Sequence, residues 1–149
     1  MKQEQQQRAA VVCEAMSWLK TPYHHMAGVK GAGVDCAMIL VEVYLNAGVI
    51  DARPQIEAYP ADWMLHRAEE RYLDWLKQYS TLTKKPQAGD VAIWKFGRCF
   101  SHAAILVENN QIVHANRKAG MVILDDMNNA ELIGRDVQFY TFWQKKVDA

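Results

Sequence analysis

Apolar positions keep a helical period through the first half of the chain and a strand-like period through the second. In residues 3–19, Val11, Ala15 and Trp18 form one stripe and Val12, Met16 and Leu19 the adjacent one. That spacing predicts an amphipathic helix. The helix should stop at Thr21-Pro22, because a residue before proline is pushed out of the α region. Thr21 to Val34 then reads as a glycine-rich loop, a candidate cleft wall carrying Tyr23, His24 and His25. From Ala37 to Leu45 only Glu42 is charged, and Gly48 stands where a C-terminal cap belongs. Such a run predicts a helix buried on most sides. A further amphipathic helix is expected over 61–79, where Ala68, Tyr72, Trp75 and Tyr79 share a stripe.

After the turn chemistry of Pro86-Gln87-Ala88-Gly89 the period shortens. Strand-like runs cover Val91 to Trp94, His102 to Val107, Gln111 to Ala115, Met121 to Leu124 and Val137 to Trp143. Helices first and strands second predict an α+β fold, with an antiparallel meander of about five strands packed on the helices. At 149 residues the chain fits one domain, 1–149, with one core.

Composition removes several functions. Seventeen basic and seventeen acidic side chains cancel, and no basic block stands out, which disfavours nucleic acid as the partner. No apolar run reaches the ~18 residues of a membrane span. The polar start, MKQEQQQRAA, lacks an apolar core, so no secretory signal peptide is expected. Three cysteines without paired spacing argue for at least one free thiol. Cys13, between the stripes of the first helix, is expected to be a small buried hydrophobe.

Cys36 is the thiol placed for chemistry. Asp35 is an N-cap by type, which puts Cys36 in the first turn of the buried helix. There the open N–H groups and the helix dipole favour a thiolate. Two histidines sit twelve residues apart in the strand half, His102 and His114. A two-residue turn at Asn109-Asn110 would point them to opposite faces. A three-residue loop of Glu108, Asn109 and Asn110 places Ala104 opposite His114 and both imidazoles on one face. It also matches Ile105 with Val113 and Leu106 with Ile112, and is preferred. The roles follow: Cys36 attacks a carbonyl carbon, His102 accepts and returns the proton, and His114 orients His102. The Cys36 backbone N–H is a candidate oxyanion donor.

Together these pieces resemble the NlpC-like cell-wall peptidases, compact relatives of papain. Thr21-Pro22-Tyr23, Gly33-Val34-Asp35-Cys36, Gly89-Asp90-Val91, Ser101-His102-Ala103-Ala104-Ile105 and Ile112-Val113-His114-Ala115 carry the resemblance, over about residues 15–125. It implies a cysteine endopeptidase without cofactor or metal that cuts peptidoglycan stem peptides, most often at the D-glutamyl–diaminopimelate or –lysine bond. Tyr23 and Asp35 would then line the substrate pocket; for Asp35 a plain helix cap is the equal alternative. The family usually follows the cysteine with Ser-Gly, where this chain has Ala37-Met38. The 61–79 insertion and the Lys95–His102 stretch resemble the members encoded with phage tails. That implies phage tail-tip proteins as partners, a virion location and action at the host wall during genome entry. Three rivals stand beside this reading. They are a metal site of Cys36, Cys99, His102 and His114; a CHAP-type amidase; and a tail module that keeps only the peptidase fold.

Overall fold

The structure, a computed structural model, describes residues 2–53 and 74–143. Helix α1 spans Lys2–Met16, and a turn over 17–20 ends it a few residues short of the sequence expectation. Val11, Ala15 and Trp18 are buried as their stripe requires. The neighbouring stripe is only half-covered, so Cys13 is exposed, not buried. The expected loop before Cys36 contains a small hairpin, β1 (Gly28–Val29) with β2 (Gly33–Val34).

Helix α2, Met38–Asn46, buries Ile39 through Tyr44, including Glu42. Its end carries a six-to-one hydrogen bond, Val49 N–H to Tyr44 O at 2.9 Å, and Gly48 N–H donates to Leu45 O at 3.1 Å. Gly48 sits at φ +77°, the left-handed position this closure demands. Of the helix expected over 61–79, residues 74–79 are helical; the rest lies outside the described residues.

Among the described residues the sheet has six strands in the order β3-β8-β4-β5-β6-β7, every pair antiparallel. These are β3 (Thr81–Thr83), β4 (Val91–Phe96), β5 (Cys99–Leu106), β6 (Gln111–Asn116), β7 (Met121–Asp126) and β8 (Val137–Thr141). The meander holds for β4 through β7. The last strand departs from it, returning to lie between β3 and β4. Residues 20–23 already occupy the outer edge at the start of β7. Lys20 N–H reaches Val122 O (2.9 Å), Val122 N–H reaches Thr21 O (2.9 Å), and Tyr23 N–H reaches Gly120 O (2.8 Å).

The sheet is buried on both sides. Val91, Ile93, Ala103, Ile105, Val113 and Ala115 join the core made with α1 and α2. On the other side Ala92, Trp94, Ala104, Leu106 and Ile112 pack with Leu132. The Gly-Asp pair that opens β4 ties the sheet to α1. Arg8 donates to Asp90 Oδ1 at 2.9 Å, to Ala88 O at 3.1 Å and to Thr141 Oγ1 at 3.2 Å, and its guanidinium lies over Trp143. A Cβ on Gly89 would stand 3.3 Å from the Arg8 Cα, so glycine is what lets α1 approach this closely.

Candidate active site

Cys36 lies in the turn that delivers the chain into α2, one residue before the Ala37 cap position. The helix thus starts later than expected: Ala37, not Asp35, is the cap residue, and Cys36 stands just before the first turn instead of within it, although the Asp35 side chain still serves the helix start. Its Oδ1 accepts the N–H of Ala37 (3.1 Å) and of Met38 (2.8 Å), and its backbone carbonyl accepts from Ile39. Its other oxygen accepts the Met26 N–H at 2.8 Å, which pins the preceding loop. Asp35 is almost fully buried. Since it occupies two of the N-terminal N–H groups, those groups are not available to an anionic substrate. His25 Nδ1 lies 4.0 Å from the same carboxylate and is half-buried, whereas His24 is exposed as expected for a loop residue.

Tyr23 lies within electrostatic reach of the thiol. Residues 21–23 are stitched to the start of β7, and an isolated bridge joins Tyr23 to Val34, two residues before Cys36. The Tyr23 hydroxyl is close enough to the Cys36 side chain to feel its charge. Burial first, then the charges of Cys36 and Asp35, push this hydroxyl well above its ordinary value. It therefore stays a donor, able to stabilise negative charge on sulfur.

The histidines meet on the strands. The β5–β6 ladder pairs Ile105 with Val113 and Leu106 with Ile112, the register of a three-residue loop. Asn109 and Asn110 take the left-handed turn conformations at φ +61° and +59°. Beyond those pairs the ladder opens, and His102 Nε2 and His114 Nδ1 lie 2.7 Å apart across the opening. A bulge between β4 and β5 aims His102. Trp94 faces His102 while Lys95 faces Phe100, so Ser101 is the extra residue. The Trp94 and Phe96 rings flank the imidazole at 6.2 and 5.7 Å, and Arg135 stacks on Phe96 at 3.8 Å. Burial first, then the charges of His114 and Arg135, holds His102 down to about 3. It rests as neutral imidazole, the form a base requires. Burial likewise lowers His114, while Asp125 and Glu131 pull it back up.

Of the five expected site residues, Tyr23 lies within electrostatic reach of Cys36, His102 and His114 form an imidazole pair, and Asp35 shapes the turn that carries the thiol. Sequence reading missed Asp125, whose Oδ2 lies 3.2 Å from His114 Nε2. The signal was present. Asn116 pairs with Met121 across a short loop, and that register brings Asp125 onto the His114 face of β7. With both ring nitrogens of His114 engaged, the arrangement is a relay of hydrogen bonds. Among the described residues no group of three or more His, Cys, Asp or Glu is arranged to hold a metal ion.

The sequence of residues 20–141 matches the NlpC/P60 family. The chain belongs to the NlpC/P60 family. Solved NlpC/P60 structures share its α+β fold. The NlpC/p60 domain of the peptidoglycan hydrolase SagA superposes with a TM-score of 0.58 at 21% identity, covering 88% of this chain and 96% of that one. NlpC1 from Trichomonas vaginalis gives 0.65 at 14% identity over 91% of this chain, which spans 44% of NlpC1. RipD from Mycobacterium tuberculosis, described as a non-catalytic NlpC/p60 domain protein adapted to peptidoglycan binding, gives 0.59 at 12% identity over 91% of this chain and 96% of its own. No curated protein sequence matches this NlpC/P60 chain.

Proposed function

We propose that this NlpC/P60 domain is a peptidoglycan hydrolase, a cysteine endopeptidase that cuts stem peptides. The observation carrying the reading is the 2.7 Å contact of His102 Nε2 with His114 Nδ1, which leaves His102 Nδ1 as the nitrogen for the reaction. The Cys36 sulfur attacks the scissile carbonyl carbon and its proton passes to His102 Nδ1. The tetrahedral intermediate collapses, and His102 gives that proton to the leaving amine. Water then attacks the Cys36 thioester, His102 takes the water proton, and the thiol is restored. A thiolate beside the ring raises the basicity that burial has lowered, so His102 gains proton affinity as the sulfur ionises. Tyr23 donates toward the sulfur, and the Cys36 backbone N–H is the proposed oxyanion donor, a contact of ~3 kcal/mol of barrier in such sites.

The proposed scissile bond is D-glutamyl–diaminopimelate or –lysine, with Asp35 near the substrate's amino end. From the resemblance to tail-encoded members, we also assign the domain to a phage tail tip, acting on the host wall at genome entry beside other tail proteins. Antibody detection in purified virions, with none in the tail, would remove that assignment. Digestion of purified peptidoglycan, read by mass analysis of the muropeptides, tests the hydrolase. Wild type should release cut stem peptides and Cys36→Ala none. The same fragments from both, or none from either, would leave the RipD-like alternative of a binding module.

A further inference from the structure

The His102–His114 pair does not end at His114. Asp125 Oδ2 lies 3.2 Å from His114 Nε2 and accepts the side-chain amide of Asn129 at 3.0 Å, while Asp125 Oδ1 accepts the Asp126 N–H at 2.8 Å. Asn129 is itself held, since its Oδ1 accepts the N–H groups of Glu131 and Leu132. The carboxylate is therefore fixed by two donors besides the imidazole. His114 is fully buried, and the Asp125 side chain is about a quarter exposed at 27%.

A carboxylate only accepts, so the hydrogen on this side of His114 must sit on Nε2. A neutral imidazole carries one N–H, which leaves His114 Nδ1 with a lone pair. The 2.7 Å contact to His102 Nε2 then requires His102 to donate, so its own hydrogen is on Nε2. Nδ1 of His102 is left unprotonated. We propose that Asp125 is a positioning residue that fixes the tautomers of both histidines in series, so that His102 presents a lone pair, not an N–H, at Nδ1. The catalytic meaning of this rests on the hydrolase reading above; the tautomer chain itself rests on the hydrogen bonds alone. The charged groups facing the pair are Asp125 and Glu131 at His114 and Arg135 at His102.

The test is a two-bond proton–nitrogen correlation spectrum of the full chain with labelled histidine at neutral pH. Wild type should show both His102 and His114 as Nε2–H forms. Asp125→Ala should convert both to mixtures containing Nδ1–H. In peptidoglycan digestion it should lower kcat by about tenfold or more with KM little changed, as expected for a residue acting through the base. Asp125→Asn, whose amide oxygen can still accept from His114, should retain wild-type tautomers and most of kcat. Nδ1–H His114 in wild type, or tautomers unmoved in a folded Asp125→Ala, would overturn the proposal. A loss of melting temperature with tautomers unmoved would make Asp125 a turn residue only, and overturn it equally. Shifted tautomers in a protein that cuts no peptidoglycan would sink the hydrolase and leave the relay standing; active enzyme with unmoved tautomers would do the reverse.

Discussion

Replacing Arg8 with methionine isolates the contact that joins α1 to the opening of β4. The Arg8 side chain is 11% exposed and that of Asp90 1%, so the pair is not a surface ion pair. The substitution removes the partner at 2.9 Å and leaves the Asp90 carboxylate with the Gln87 N–H at 2.8 Å and the Thr141 contact. Stranding one member of a buried pair costs about 3–5 kcal/mol. For a chain of this size that lowers the melting temperature by roughly 6–20 °C. Burial already raises the Asp90 carboxyl, against Thr141, Gln87 and Arg8, which lower it. Without Arg8 it rises further above its unfolded value. The folded variant then holds this proton more tightly than the unfolded chain, so its stability falls as pH rises between those two values. The deficit relative to wild type should be full at neutral pH and shrink toward about pH 4. Urea unfolding at both pH values measures it, with Asp90→Asn in the Arg8→Met background as the rescue. A deficit below about 1 kcal/mol, equal at both pH values and not rescued, would show that Asp90 does not depend on Arg8.

His102 gives a second pH effect with the opposite sign. Its folded value, about 3, lies below that of a free histidine, so the unfolded chain binds the extra proton. Stability from this site is complete above about pH 6.5 and falls below it by up to ~1.4 kcal/mol per pH unit. His102→Phe, placed against Trp94 and Phe96, should flatten that limb in urea midpoints; an unchanged slope would refute the burial argument. Among the cysteines, Cys36 should alkylate with iodoacetamide near neutral pH well ahead of exposed Cys13 and half-buried Cys99. Mass mapping of the labelled peptides decides it, and equal slow labelling of all three would deny an activated thiol.

The elements legible in the sequence were those whose pattern carries its own register. The apolar run ending at Gly48 specified α2, because one charge in a buried stretch admits few other structures. The β5–β6 hairpin was legible because one loop length alone matched apolar residues on both faces and joined the histidines. Alternation says which side chains share a face but not which strand lies next door, so the return of β8 to β4 was not readable. Strands of two and three residues, in the β1–β2 hairpin and in β3, carry too few positions to show a period. Cys13 was misjudged because the second stripe of α1 is only half-covered. Asp125 escaped notice because a carboxylate near a strand end looks like a solvated one until the neighbouring register is known.

The sheet's two rims are both shielded, by different means. One rim is sutured by residues 20–23 along the start of β7, and the far end of that strand carries Asp125 and Asp126. The other rim is β3, only Thr81–Thr83, followed at once by Lys84 and Lys85. Among the described residues neither offers the long, uncharged row of open amide groups onto which a second molecule can add its own strand. The suture that seats Tyr23 within reach of the thiol therefore also guards this protein against fibril-like self-association.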